Sequence, residues 1–172
     1  IGVNPNIAAN SHPYRSTGSI DNKFGIDHNQ ALEIYALANS LPNLKIKGIT
    51  CHIGSQITSL EPFLGALDQI LNIIDALATH NIDLEYLDIG GGLGVCYQNE
   101  TPPTPEEYIN AITSKLQDRN LEIHFEPGRA IVANAGILLT TVEYLKSTDK
   151  NNFAIIDAAM NDLIRPALYN SY

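Results

Sequence analysis

The sequence has few of the features that mark a nucleic-acid-binding or membrane protein. Its 172 residues include only 10 Lys and Arg against 19 Asp and Glu, for a net charge of -9, and the basic residues are scattered. Nucleic acids and anionic membranes favour clustered Lys and Arg. No apolar run approaches the roughly 20 residues that cross a bilayer. We therefore expect neither nucleic acid nor membrane among its partners.

Cysteine is also scarce, since Cys51 and Cys96 are the only two. They form no CxxC pair, so a reduced, cytoplasmic protein is the simplest interpretation, although a disulfide between them stays open. No metal is expected, because His52 shows no ligand spacing with the other histidines, which are His12, His28, His80 and His124.

Known nucleotide-binding fingerprints are missing as well. A dinucleotide motif starting at Gly90 would need glycine where Val95 stands, and no Walker sequence occurs. What is present is a run of three glycines, Gly90 to Gly92, after a predicted strand. Such a run brings backbone N–H groups close to an anion, most often phosphate. A tight strand-to-helix turn is an equally good interpretation.

The apolar pattern alternates between strands and helices. Asp27, Ser59 and Thr104 are good N-cap residues. After Thr104, Pro105 suits the first helical position and Glu107 completes a capping box. Strands separated by helices predict right-handed crossovers and a parallel sheet, hence an α/β fold. The predicted strands are 1–4, 45–52, 84–89 and 121–125; a loop spans 5–25, and the helices are 28–41, 60–77 and 105–118.

The pattern changes near residue 133. Residues 136–144 and 152–158 are extended, with no long helix between them. We therefore assign residues 1–133 to an α/β domain and residues 134–172 to the beginning of a β-rich domain. An α/β barrel and an open doubly wound sheet both place ligands at the carboxyl ends of their strands, so the pattern alone leaves both possible.

Polar motifs follow the last three predicted parallel strands, at one edge of the sheet. They are His52-Ile53-Gly54-Ser55-Gln56, Gly90-Gly91-Gly92 and Glu126-Pro127-Gly128-Arg129. An imidazole can stack on a planar cofactor, a hydroxyl can bind phosphate, and a carboxylate can keep a heteroaromatic nitrogen protonated. Arg129 can bind a carboxylate through two hydrogen bonds. The simpler alternatives are a structural His52, an internal Glu126–Arg129 ion pair, and Asp88 ordering the glycine loop.

In their order and spacing these motifs, with Lys23-Phe24-Gly25 and Leu87-Asp88-Ile89, resemble the fold-type III pyridoxal-phosphate-dependent decarboxylases over essentially the whole chain. The resemblance implies the C-terminal half of a TIM-type (β/α)8 barrel followed by the start of a β-rich C-terminal domain. It also implies pyridoxal 5'-phosphate as the cofactor and a homodimer with sites shared across the interface.

The resemblance assigns a role to each candidate site residue. His52 would stack on the cofactor ring, and Glu126 would pair with the pyridine nitrogen. Arg129, Arg165 and Tyr169 would bind the distal carboxylate of an amino-acid substrate. The phosphate would lie near Ser55, cradled by Gly90, Gly91, Gly92 and the backbone of Glu126, Pro127, Gly128 and Arg129.

Within that family the segment 157–169, with His12-Pro13-Tyr14 and Gln56, resembles members that convert meso-2,6-diaminopimelate to L-lysine and CO2. The alternatives are a decarboxylase of another basic amino acid or polyamine precursor, and a non-catalytic cofactor-binding relative. The resemblance does not match Lys23 to the family's covalent cofactor lysine. We therefore expect the chain to be an internal fragment of a longer protein and to be inactive by itself.

Overall fold

The computed structural model describes residues 1–8, 22–116 and 118–169, so the His12-Pro13-Tyr14 motif lies outside the described residues. The chain divides into two compact units, Ile1–Ala133 and Asn134–Tyr172. Among the described residues, no helix is long and apolar enough to span a membrane.

A parallel sheet forms the centre of the first unit. A bridge between Gly2 and Thr50 places the first strand beside the second of the predicted strands. The predicted parallel order is thus confirmed. The strands are shorter than predicted, since each central strand pairs regularly over only three residues. The strands are β1 (Val3–Asn4), β3 (Gly48–Thr50), β4 (Tyr86–Asp88) and β5 (Glu122–His124), with β3-β4-β5 in that order.

One strand was not predicted. Residues Ile26–Asp27 form β2, which pairs in parallel with β1 directly after the predicted loop. Asp27 also acts as a cap, because its Oδ1 accepts from the Asn29 N–H at 2.9 Å. It caps a 3-10 turn, His28–Gln30, that leads into α1 (Ala31–Ser40). The helix ends before Pro42, as predicted.

The second helix, α2, spans Glu61–Thr79. The predicted Ser59 cap is wrong: Leu60 is the N-cap residue and makes no side-chain capping bond. The Leu64 N–H donates to the Leu60 carbonyl at 3.0 Å, so the first turn starts one residue later. The Ser59 hydroxyl instead hydrogen-bonds the Glu61 carboxylate. The pKa of that carboxyl is lowered first by the backbone N–H of Glu61 and second by this hydroxyl.

The third helix, α3, spans Pro105–Ser114 and has the predicted capping box. Thr104 Oγ1 accepts from the Glu107 N–H at 3.2 Å, and the Thr104 N–H donates to Glu107 Oε2 at 2.8 Å. The helix ends before the predicted residue 118. The cause is a tighter last turn, in which the Lys115 N–H donates three residues back, to Ile112, at 3.1 Å.

The helices cover one face of the sheet. Ile49, Leu87 and the α2 residue Leu67 each have 0% of their surface exposed, and Phe63 packs on Tyr108 with ring centroids 4.6 Å apart. Successive strand residues point to opposite faces. The other face therefore carries polar and aromatic side chains, such as Tyr86 and His124, whose rings stack at 4.8 Å.

The second unit contains an antiparallel hairpin and a short helix: β6 (Val142–Ser147), β7 (Asn152–Ile156) and α5 (Arg165–Tyr169). Extended structure was predicted from residue 136, but the first paired strand begins at Val142. Beyond this first pair, the Asp157 N–H donates to the Thr141 carbonyl at the open end of the hairpin. That this unit begins a larger β domain stays a prediction.

Candidate functional site

The three polar loops meet at the carboxyl edge of the parallel sheet. The Gly91 N–H donates to Nδ1 of His52 at 3.2 Å, which joins the loops after β3 and β4. The Glu126 N–H donates to the Gly90 carbonyl at 2.8 Å, which joins the loops after β4 and β5. The structure therefore brings His52 and Glu126 together around the glycine run.

The glycine run is held in a conformation that only glycine fits. Gly90 and Gly92 have φ values of 72° and 107°. A Cβ on Gly91 would lie 2.1 Å from the Glu126 carbonyl oxygen. Asp88 orders the loop, as one interpretation predicted, because its Oδ1 accepts from the Gly90 N–H at 2.7 Å. The backbone of this loop is thus fixed, closely packed and without side chains.

Arg129 opens the short helix α4 (Arg129–Val132) and reaches across to the other loops. Its Nη1 donates to the Tyr97 hydroxyl at 2.6 Å, and its Nη2 and Nε donate to Ser55 Oγ at 3.3 and 3.4 Å. The carboxylate of Glu126 makes no hydrogen bond or ion pair with another described residue. The alternative of a Glu126–Arg129 pair is therefore wrong.

This arrangement fits a planar, phosphorylated cofactor such as pyridoxal phosphate. A Cβ on Gly128 would meet nothing within 4 Å, so open space adjoins the loop after β5. Hydroxyl, guanidinium and backbone N–H groups are suitable donors to phosphate oxygens. The exposed Glu126 carboxylate is a suitable partner for a ring nitrogen. Among the described residues, no cluster of His, Cys, Asp and Glu could hold a metal ion.

Buried ionisable groups lie directly behind the glycine loop. Burial, and then the charge of Asp88, raise the pKa of the Cys51 thiol to about 12. Burial also raises the pKa of Tyr108, whose hydroxyl has no hydrogen-bond partner among the described residues. Both cysteines are free, Cys51 buried and Cys96 exposed. A pocket of about 220 Å³ adjoins Tyr108 and is lined mostly by apolar side chains.

Two residues near the site were missed or used only in part. Tyr97 was not predicted to take part, and Gln56 entered only as the last letter of a motif. Tyr97 lies 32 residues from its partner Arg129, and Gln56 lies 39 residues from its partner Val95. No local pattern marks such long-range contacts, so sequence spacing offered no signal for either residue.

The last two predicted site residues lie in the second unit. Arg165 opens α5 and Tyr169 closes it. Arg165 precedes Pro166, and its place at the helix start agrees with the prediction that it is not in mid-helix. Their role in binding a substrate carboxylate stays a prediction.

Comparison with known proteins gives a consistent result. The family model for the pyridoxal binding domain of pyridoxal-dependent decarboxylases matches residues 1–133. The diaminopimelate decarboxylases of Vibrio cholerae and Haemophilus influenzae are 58% and 56% identical to the chain over 173 aligned positions. The chain is covered completely but spans 42% of the length of each. A crystal structure of diaminopimelate decarboxylase from Helicobacter pylori, complexed with L-lysine, matches 99% of this chain and 43% of that chain, with 43% identity and a TM-score of 0.94.

Proposed function

The chain belongs to the pyridoxal-dependent decarboxylases, and from this membership we propose that the whole protein converts meso-2,6-diaminopimelate to L-lysine and CO2. The relatives at 58% and 56% identity carry that activity in their names. The observation that carries the proposal is the meeting of three loops at one sheet edge, joined by Gly91–His52 and Glu126–Gly90 hydrogen bonds.

The cofactor site is formed by the first unit. Pyridoxal phosphate, when bound, supplies a ring that accepts the electrons released as a carboxylate leaves. Ser55, Arg129 and the backbone of residues 90–92 and 126–129, which include Pro127 and Gly128, would bind its phosphate. His52 would contact the ring, and Glu126 would hold the proton on the ring nitrogen. The exposed Glu126 carboxylate, unpaired among the described residues, supports this role.

Substrate recognition involves the second unit. Arg165 and Tyr169, with Arg129, bind the distal carboxylate that distinguishes diaminopimelate from lysine. A guanidinium and a phenol hydroxyl are suitable donors to a carboxylate.

The strand order supports a barrel architecture for the first unit. The strands β3, β4 and β5 neighbour one another in chain order, with helices on one face, as in part of a (β/α)8 barrel. We extend the proposal to the C-terminal half of such a barrel, followed by the start of a β-rich domain. The whole protein is a homodimer in which the partner completes the site.

The chain alone is proposed to be inactive. Lys47 forms an ion pair with Glu85, and Lys115 forms one with Asp68. Neither contact lies at the three loops, so neither ammonium group is placed to hold the cofactor there. To test this, CO2 release by the 172-residue chain is measured and compared with CO2 release by the whole protein, each supplied with cofactor and diaminopimelate. Lysine production by the chain alone would contradict this part of the proposal.

The substrate is tested with the purified whole protein. We expect CO2 release from meso-2,6-diaminopimelate, with L-lysine as the product, and little release from ornithine, arginine or lysine, which lack the second carboxylate. In R165A and Y169F variants the KM for diaminopimelate should rise while cofactor binding is unchanged. A preference for ornithine or arginine would favour the alternative decarboxylase, and cofactor binding without any CO2 release would favour a non-catalytic relative.

A further inference from the structure

Gln56 has an unusual backbone conformation for a residue with a long side chain. Its φ is 59°, in the left-handed region that favours glycine and asparagine. Residues persist in this region where surrounding contacts hold them, and such residues are frequent at ligand-binding sites. The contacts that hold Gln56 are made by its own side chain.

The carboxamide of Gln56 pairs with the backbone of Val95 in both directions. Its Nε2 donates to the Val95 carbonyl at 2.6 Å, and its Oε1 accepts from the Val95 N–H at 3.1 Å. A carboxamide carries a donor and an acceptor side by side, so it can make both hydrogen bonds at once. We refer to these two hydrogen bonds as the Gln56 clamp.

The clamp continues a set of backbone hydrogen bonds between the loops that follow β3 and β4. The Ile57 N–H donates to the Gly92 carbonyl at 3.0 Å, and the Gly94 N–H donates to the Ile57 carbonyl at 2.9 Å. A Cβ on Gly94 would lie 2.9 Å from that same Ile57 oxygen. The two loops are therefore joined at a fixed and close spacing.

Both residues that hold Arg129 lie next to this clamp. Ser55 precedes Gln56 directly, and Tyr97 follows Val95 by two residues. The Arg129 guanidinium donates to both hydroxyls, at 3.3 Å to Ser55 and 2.6 Å to Tyr97. The guanidinium carbon lies 5.7 Å from the centroid of the Tyr97 ring. The distance between the two loops thus sets where the charge of Arg129 lies.

We propose that Gln56 is a positioning residue, which fixes the spacing between Ser55 and Tyr97 and so sets Arg129 against the phosphate of the cofactor. The inference rests on the proposed function, since it concerns how the proposed phosphate site is held. Tyr97 is the second positioning residue in the same set of contacts. Neither residue contacts the reacting atoms.

The side chain at position 56 can be varied conservatively. In Q56E the carboxylate accepts from the Val95 N–H but has no proton to donate to the Val95 carbonyl, so half of the clamp is lost. In Q56N the amide is kept but is one methylene shorter, and it does not reach. Q98N is the matched control, because Gln98 is exposed and its side chain is not part of the clamp.

The first experiment measures dissociation constants of the whole protein for pyridoxal phosphate and for pyridoxal, which lacks the phosphate. We expect Q56E and Q56N to weaken pyridoxal phosphate binding by about tenfold while pyridoxal binding changes by less than about twofold. Q98N should change neither. Melting temperatures are recorded for each variant, so that a folding defect is recognised. Equal weakening for both ligands would overturn the inference.

A double-mutant cycle tests whether Gln56 acts through Arg129. Once R129A has removed the guanidinium, adding Q56N should weaken pyridoxal phosphate binding no further. Independent, additive losses would overturn the inference.

A ligand-free readout separates this inference from the proposed function. Hydrogen exchange of the Arg129 Nε–H, followed by NMR in the whole protein, should be faster in Q56N than in the wild type. If the wild-type protein bound no pyridoxal phosphate, the proposed function would fail, while this measurement would still decide whether Gln56 positions Arg129. An unchanged exchange rate in Q56N would overturn it.

Discussion

In the first unit Leu87 lies in β4 with none of its surface exposed, whereas Leu145, in β6 of the second unit, is 75% exposed. The contrast extends to whole elements, since every residue of β6 is exposed. Both units contain paired strands, but among the described residues only those of the first unit enclose a core. Backbone pairing and core formation are thus separate sources of stability, and they can be tested separately.

The largest expected difference comes from a matched pair of leucine truncations in the chain. L87A should lower the free energy of unfolding by about 2–5 kcal/mol, because it leaves a cavity in a closed core. L145A should change it by less than about 0.5 kcal/mol, since the side chain is already in contact with solvent. Urea denaturation followed by circular dichroism measures both. Similar losses from the two substitutions would remove the distinction between the units.

Glycine substitutions give a second, smaller contrast. G91A should cost about 1–3 kcal/mol, because the added Cβ would lie 2.1 Å from the Glu126 carbonyl oxygen and the loop has to shift. G136A, in the second unit, is the control, since a Cβ there would meet nothing within 4 Å. Differential scanning calorimetry compares the two variants. A G91A protein as stable as G136A would show that the loops after β4 and β5 are less tightly packed than described.

The smallest expected effect is a pH dependence that belongs to the first unit alone, which contains both cysteines. The pKa of Cys51 is raised from 9.0 to about 12, so the folded chain keeps the proton longer than the unfolded chain. The resulting stability is fully present below pH 9 and is lost as the pH rises toward 12. Between pH 9 and 10 this loss is about 1 kcal/mol.

C51A should therefore flatten the decline in stability above pH 9, whereas C96A, which changes an exposed thiol, should leave the decline as it is. Urea denaturation at a series of pH values measures this. An unchanged slope in C51A would mean that another group, such as Tyr108, dominates in this range.

The parts of the fold that sequence predicted best are those fixed by neighbouring residues. The capping box at Thr104 and Glu107 depends on residues three positions apart, and it forms as predicted. The predicted Ser59 cap did not form, because the Ser59 hydroxyl bonds the Glu61 side chain and Leu60 takes the N-cap position. Local chemistry thus predicts where a helix starts to within a residue or two.

The candidate site was predictable in composition but not in its contacts. The rule that parallel strands place their loops at one edge was sufficient to bring His52, Gly91 and Glu126 together. The partners of Arg129 were not predictable, because Ser55 is 74 residues away and the sequence offered Glu126 as a nearby partner. Pairing across loops depends on the spacing that the fold sets between them, which residue order does not encode locally.

The order of strands in the sheet has a consequence for how the chain is made. β4 pairs with β3 and β5 pairs with β4, so each of these two strands pairs with the strand that precedes it along the chain. On a ribosome, which adds about 5–20 residues per second, each new strand emerges after its partner is already available. Contacts between segments close in sequence also form faster than distant ones. From β3 onward the sheet can therefore grow in one direction during translation, with β4 and then β5 pairing onto the strand before it.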